Sequence, residues 1–253
     1  MRFASLGSGS SGNATLIDDG ESLLLLDCGF TVKETEKRMA RLGISPEALT
    51  AVIVTHEHTD HIKGVAPLAR RYKTPVYMTE GTWASKDLGV IPSLNIIRNY
   101  EAFDVKGIRV TPIVVPHDAR EPAQFVFRDQ RGLNLGVLTD LGSVTPHIIE
   151  AYEECDGIVV EANHDLDMLA NGPYPPSLKS RVSSHWGHLN NQQTADFLAS
   201  CNLDRLQEIV VGHISEKNNS LDRVKQDLEH VIEQAKSIRF ACQDIGFDWL
   251  TLH

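Results

Sequence analysis

The chain has 253 residues, 24 basic against 34 acidic side chains for a formal net charge of −10, 42% hydrophobic residues and four cysteines. This composition excludes global disorder, and the length supports a core without metal or disulfide staples. No run approaches the roughly 20 apolar residues of a membrane span, Met1-Arg2-Phe3-Ala4-Ser5 leads into Gly and Ser rather than an apolar signal core, and the negative charge disfavours non-specific attraction to nucleic-acid phosphates. Cys28, Cys155, Cys201 and Cys242 are far apart and form no C-x-x-C pair, against a disulfide framework or a cysteine zinc site. A reducing, cytoplasmic location fits.

In chain order, Gly7 to Gly12 reads as an irregular surface loop, and the apolar run 22–27 as a strand. Thr31 followed by Glu34 is a capping-box signature for a helix to about Leu42, with Gly43 as its stop. Strands are predicted over 51–55, 75–79, 108–115, 124–127, 133–139, 157–161, 208–211 and 238–241, each short, apolar and rich in Val and Ile. A helix over 61–71 is expected to break at Pro67, Asn171 to Pro176 to form a loop, and Asn190 or Asn191 to cap a helix to Ala199. Ser220 opens an amphipathic stretch carrying Leu221, Val224, Leu228, Val231, Ile232 and Ala235 on one face. Without repeats, linkers or a charge shift, residues 1–253 read as one domain of mixed strands and helices.

The chemistry concentrates in Ala51-Val-Ile-Val-Thr-His56-Glu57-His58-Thr59-Asp60-His61, where an apolar strand runs into three histidines and an aspartate within six positions. Neutral imidazoles suit zinc and other borderline cations, and a carboxylate adds charge for a second ion. Packing alone does not explain four ligand types in six positions. His117, Asp140 and His213 each follow an apolar strand, where loops carry function on a rigid scaffold. Taken singly they also read as a turn residue, a helix cap before Thr145 and a capping group.

The H-x-H-x-D-H loop resembles the hallmark of the metallo-β-lactamase superfamily. Asp27 in Leu-Leu-Leu-Leu-Asp-Cys-Gly, His117 in Val-Val-Pro-His-Asp, Asp140 in Val-Leu-Thr-Asp-Leu-Gly and His213 in Val-Val-Gly-His-Ile-Ser match its later signatures in order. The resemblance implies a four-layer αββα sandwich of the α/β class. It also implies one metal on His56, His58 and His117, a second on Asp60, His61 and His213, Asp140 bridging both, and Asp27 orienting ligand imidazoles. Zinc and manganese, or iron, suit such donors. A bridging hydroxide would be the nucleophile, with Asp60 placed to orient it or accept its proton.

Ser8 to Asn13, Val160 to Asp165, Gly187 to Asn190 and Gly212 to Asn219 are similar to the YycJ/WalJ branch, which implies phosphodiester hydrolysis and 5′-to-3′ exonuclease action on DNA. Gly187-His188 followed by His213-Ile-Ser is also similar to the tRNA 3′-processing endonucleases, in which a Glu and a His act as a pair on the scissile phosphate. Glu161 and His188 occupy those positions, and His164 and His185 read as bystanders. A cyclic-phosphodiester or other small phosphodiester hydrolase is the alternative, beside an RNA-processing nuclease. A third possibility is a scaffold that has lost turnover, against which the full ligand set stands. DNA, or another phosphodiester, is thus the expected partner, gripped locally, with Arg70, Arg71, Lys73, Lys179 and Arg181 as the nearest basic clusters in sequence.

Overall fold

Four consecutive leucines, Leu23–Leu26, make a strand (β3) with no polar face, and such a strand needs apolar cover on both sides. In the computed structural model, which describes residues 1–253, all four are buried. The class is the expected α/β one, with strands in two sheets and helices carried on their connections. Contacts group the chain into two compact units: Met1–Val114 with Ala119–Leu133 and Ala241–His253, and Val115–Asp118 with Asn134–Phe240.

The first unit is built on a seven-stranded sheet. Arg2–Gly7 (β1), Ala14–Asp18 (β2) and β3 pair antiparallel, while β3, Ala51–Ile53 (β4), Val76–Thr79 (β5) and Leu94–Ile97 (β6) run parallel. The C-terminal strand Phe247–Thr251 (β14) closes onto β1, across nearly the whole length of the chain. Phe103–Val105 (β7), Ile108–Val114 (β8) and Ala123–Arg128 (β9) form a separate antiparallel ladder.

The helix Val32–Arg41 (α1) begins as its sequence demands. Thr31 accepts a hydrogen bond from the Glu34 N–H, and Gly43, at φ 73°, turns the chain away after the last turn. Its Met39 packs into a cluster with Leu6, Leu16, Leu25, Val52 and Leu68.

Two readings in this unit are corrected. The helix expected to break at Pro67 breaks earlier, giving Thr59–Ile62 (α2) and Val65–Tyr72 (α3) on either side of Lys63 and Gly64. A Cβ on Gly64 would stand 2.0 Å from the Phe30 carbonyl oxygen, so this close approach sets the break. Pro67 sits in the first turn of α3, where its missing N–H costs no helical bond. The Gly7–Gly12 stretch is only partly a surface loop: Ser10 and Ser11 are exposed, but Gly7, Ser8, Gly9 and Gly12 are buried. A Cβ at Gly9 or Gly12 would collide with Gln243 or the Phe30 ring.

The second unit carries four parallel strands, Asn134–Leu138 (β10), Gly157–Glu161 (β11), Glu208–Gly212 (β12) and Ile238–Phe240 (β13). Between them run Pro146–Tyr152 (α5), Leu166–Asn171 (α6), Pro176–Val182 (α7), Asn191–Ser200 (α8), Leu221–Asp227 (α9) and Glu229–Gln234 (α10). Before α5 and in the first unit, Glu80–Ser85 (α4) follows β5. Asn190 and Gln193 complete a reciprocal capping box at the start of α8. The amphipathic stretch after Ser220 is two helices rather than one, with the chain bending at Leu228. Buried Tyr152 packs edge-on against Phe197 and donates its hydroxyl to the Val137 carbonyl at 2.7 Å.

Candidate metal centre

In the first unit the parallel strands β3 and β4 end side by side, bringing Asp27 beside the loop that starts at Thr55. Asp27 adopts a left-handed backbone at φ 60°, uncommon outside glycine but tolerated by Asp. Its carboxylate accepts from the Thr55 N–H and hydroxyl, each at 2.8 Å, and from His61 Nδ1 at 2.8 Å. Burial raises the Asp27 pKa, against the lowering influence of His61 and the Thr55 donors.

These contacts fix two tautomers. Thr55 Oγ1 has a single proton; with it given to the Asp27 carboxylate, the oxygen accepts from His56 Nδ1, 2.9 Å away. His61 Nδ1 donates to Asp27 directly. Both rings therefore carry their lone pairs on Nε2, the arrangement a metal-binding histidine requires. His56 lies between its neighbours, with ring centroids 4.5 Å from His58 and 4.2 Å from His61, and Asp60 Oδ2 is 3.6 Å from His61 Nε2.

The backbone beneath is tightly laced. Cys28 N–H donates to the His61 carbonyl, Asn13 N–H to the Asp60 carbonyl and Gly64 N–H to the Cys28 carbonyl. Gly29 approaches so closely that a Cβ would stand 1.8 Å from the Asp60 oxygen. Asn13, oriented by its side-chain oxygen accepting from the Gly9 N–H, places its amide nitrogen 3.0 Å from His61 Nε2. On the exposed side, Lys86 Nζ donates to the Thr59 hydroxyl at 3.2 Å.

The second unit gathers His117, Asp140, Glu161, His188 and His213. Donor atoms of Asp140, Glu161, His188 and His213 all lie within 4.8 Å of one another. Asp140 and His213, just past β10 and β12, share the left-handed backbone of Asp27, at φ 57° and 50°. His213 Nδ1 donates to Asp140 Oδ2 at 3.2 Å, and His117 Nδ1 donates to the Gly187 carbonyl at 3.0 Å, again leaving Nε2 as the lone-pair nitrogen. The His117 and His213 rings flank His188, with centroids 5.3 and 5.2 Å away.

Glu161 is fully buried and fully satisfied. One oxygen accepts from the Leu141 and Leu189 N–H groups at 3.0 Å each, and the other meets His188 Nδ1 at 3.0 Å. Burial works against charge on both partners. Their attraction and hydrogen bond outweigh it, so the Glu161 pKa is lowered and that of His188 raised to about 9. His188 is thus an imidazolium at neutral pH, with its Nδ1 proton committed to Glu161.

Within each unit the structure thus brings predicted residues together, and it shows supports that sequence reasoning missed. Thr55 had no signal beyond standing before His56, and the Gly187 carbonyl leaves no trace in side-chain chemistry. The bystanders separate: His185 uses its carbonyl, which accepts from Ser143, while the His164 ring is buried, with a pKa lowered by burial to about 4. The basic clusters named from sequence are largely engaged elsewhere. Arg181 pairs with Asp118, Arg71 with Glu36, Arg70 bonds the Leu88 and Val90 carbonyls, and Lys179 the Ala170 carbonyl.

A β-lactamase superfamily domain model matches residues 23–214. The chain is 34% identical to exodeoxyribonuclease YycJ of Bacillus anthracis over 92% of its own length and 90% of that protein's. It is also 34% identical to exodeoxyribonuclease WalJ of Streptococcus pneumoniae, over 93% and 89%. Among solved structures, the metallo-β-lactamase fold protein YhfI of Bacillus subtilis superposes with a TM-score of 0.75 at 18% identity, covering 99% of both chains.

Proposed function

Because the chain belongs to the metallo-β-lactamase superfamily as a YycJ/WalJ-like metal-dependent hydrolase, we propose that it is a DNA exonuclease working from 5′ to 3′ in the cytoplasm. The observation that carries this reading is the Glu161–His188 pair at 3.0 Å, its carboxylate buried and its imidazole partly open, beside Asp140 and His213. A cation held against a carboxylate suits a phosphodiester, whose negative charge must be met and whose leaving oxygen needs a proton.

We assign two divalent ions, zinc or manganese with iron as a further option, to His56, His58 and His117, and to Asp60, His61 and His213, with Asp140 shared. The donors fit: all are nitrogen or oxygen, and His56, His61 and His117 have Nδ1 engaged, which makes Nε2 the coordinating nitrogen; at His61 and His117 an ion would take the place of the Asn13 amide and the Asp118 carboxylate now beside Nε2. Such ions polarise a phosphoryl oxygen and lower the pKa of water.

The protein's own groups complete the chemistry. Glu161 holds His188 protonated, and the second N–H of the imidazolium, on Nε2, neutralises a phosphate oxygen and delivers a proton to the departing 3′-oxygen of the released nucleotide. Asp60, partly exposed, orients the attacking water or takes its proton. Asp27 acts through Thr55 and His61 and touches no substrate.

The test is a panel of 5′- and 3′-labelled single- and double-stranded DNA, RNA and cyclic dinucleotides, with Mn²⁺ and with Zn²⁺. Stepwise loss of nucleotides from the DNA 5′ end is expected. Untouched DNA beside rapid hydrolysis of a small phosphodiester would sink the nuclease reading.

A further inference from the structure

We propose that the Trp186 indole is a stacking platform for a nucleobase of the substrate strand, next to the Glu161–His188 pair. The inference rests on the nuclease reading and adds to it a grip independent of charge.

The three tryptophans are placed differently. Trp83 and Trp249 pack against the apolar core of the first unit, and Trp249 also donates its ring N–H to the Leu42 carbonyl. Trp186 is 60% exposed, and its indole makes no hydrogen bond, ring stack or cation contact. An indole this open leaves a large flat apolar face in water, a face suited to a planar ligand.

The backbone that carries it is rigid. Ser184 N–H donates to the Arg181 carbonyl, Gly187 N–H to the Ser184 carbonyl, His188 N–H to the Val182 carbonyl and Trp186 N–H to the Ser184 hydroxyl. Gly142 packs onto this turn so closely that a Cβ there would stand 2.4 Å from the Gly187 nitrogen, and one on Gly187 would stand 2.2 Å from the Val182 carbonyl oxygen. The backbone beneath the indole is thus ordered before any ligand arrives, which lowers the entropic cost of binding to the rotation of one side chain.

Its neighbours are functional. The Gly187 carbonyl orients His117, and His188 pairs with Glu161. Two residues span at most about 7 Å, so the indole is anchored within reach of a base attached to the phosphate that His188 meets. Base stacking on an aromatic face tolerates any sequence and does not depend on positive charge. A chain of net charge −10, with Arg181 paired to Asp118 and Lys179 bonded to a carbonyl, has need of such a grip.

The experiment compares wild type, Trp186→Leu and Trp186→Phe on oligo-thymidylate and on the same strand with an abasic site at its 5′ end. Trp186→Leu should raise KM on oligo-thymidylate about 5- to 150-fold with kcat little changed, the range one stacked base supplies, and Trp186→Phe should restore most of it. The abasic strand should raise KM for wild type but not further for Trp186→Leu. Unchanged KM in Trp186→Leu, or an equal abasic effect in both proteins, overturns the proposal. Tryptophan fluorescence decides separately from activity: oligo-thymidylate should quench wild type and not Trp186→Leu. A wild type that binds and quenches without cutting DNA would refute the nuclease reading alone, and one that is not quenched refutes the platform.

Discussion

His188 and Asp140 stand 3.8 Å apart, yet the proposed chemistry gives them different roles. His188→Ala should lower turnover by about 10²-fold or more while the purified protein keeps its metal, because proton delivery is lost and ligands remain. Asp140→Ala should lose metal by elemental analysis. Equal metal loss in the two variants would refute the separation of roles. His164 adds a pH dependence. Its folded pKa of about 4 lies below the ordinary value of 6.5, so between those pH values the unfolded chain binds a proton that the folded one does not. Stability should therefore rise with pH from 4 to 6.5 and level off above. In metal-free protein, His164→Asn should flatten that slope in thermal melts by up to one proton. His188 works in the opposite sense. Its pKa, raised to about 9, contributes stability that is complete below 6.5 and lost as pH climbs through 9.

At the scale of elements, the metal loop depends on a backbone contact rather than on its own propensity. The four residues of α2 cannot form a stable helix alone, and they are held by Asn13, Cys28 and Gly64. Gly29→Ala would put a methyl 1.8 Å from the Asp60 carbonyl oxygen. It should destabilise by at least the roughly 1–3 kcal/mol of an overpacked site and reduce metal content, although residue 29 holds no ligand atom. A variant with unaltered melting temperature and full metal would show that the loop is positioned otherwise. Tyr152→Phe removes a buried donor to the Val137 carbonyl and should cost about 1 kcal/mol in urea unfolding, without effect on metal content.

For the whole molecule the acidity becomes a constraint on binding. Of the seven assigned ligands only Asp60 and Asp140 carry formal charge, and two divalent ions would add about +4, taking −10 to about −6. Chelation should then lower the melting temperature, since ions bound to the folded state at 100 times their Kd stabilise it by about 2.7 kcal/mol. A melt that EDTA leaves unmoved would contradict the assignment. On the nuclease reading, affinity for DNA should fall only shallowly with salt, because Arg71, Arg181 and Lys179 are already bonded within the protein.

What the sequence determined by itself were the local features: buried parallel strands written as apolar runs, the capped start of α1, and donors placed where β4, β8, β10 and β12 end. H-x-H-x-D-H is legible because its four donor types stand within six positions after an apolar strand, although distant backbone contacts hold the turn in place. The strands β1, β2, β6, β7 and β14 were not legible: β6, β7 and β14 are short or partly exposed, and β1 and β2, though largely buried, break their apolar positions with small and polar residues; β14 also finds its partner some 245 residues away in β1. Only the tertiary structure decided the charge state and tautomers of the site. The pKa of His188 depends on Glu161 lying 3.0 Å away in a buried place, the His56 proton on a hydroxyl shared with Asp27, and the His117 proton on a carbonyl 70 residues distant. Protonation responds to burial and to neighbours brought by folding, and a linear pattern of residue types encodes neither directly.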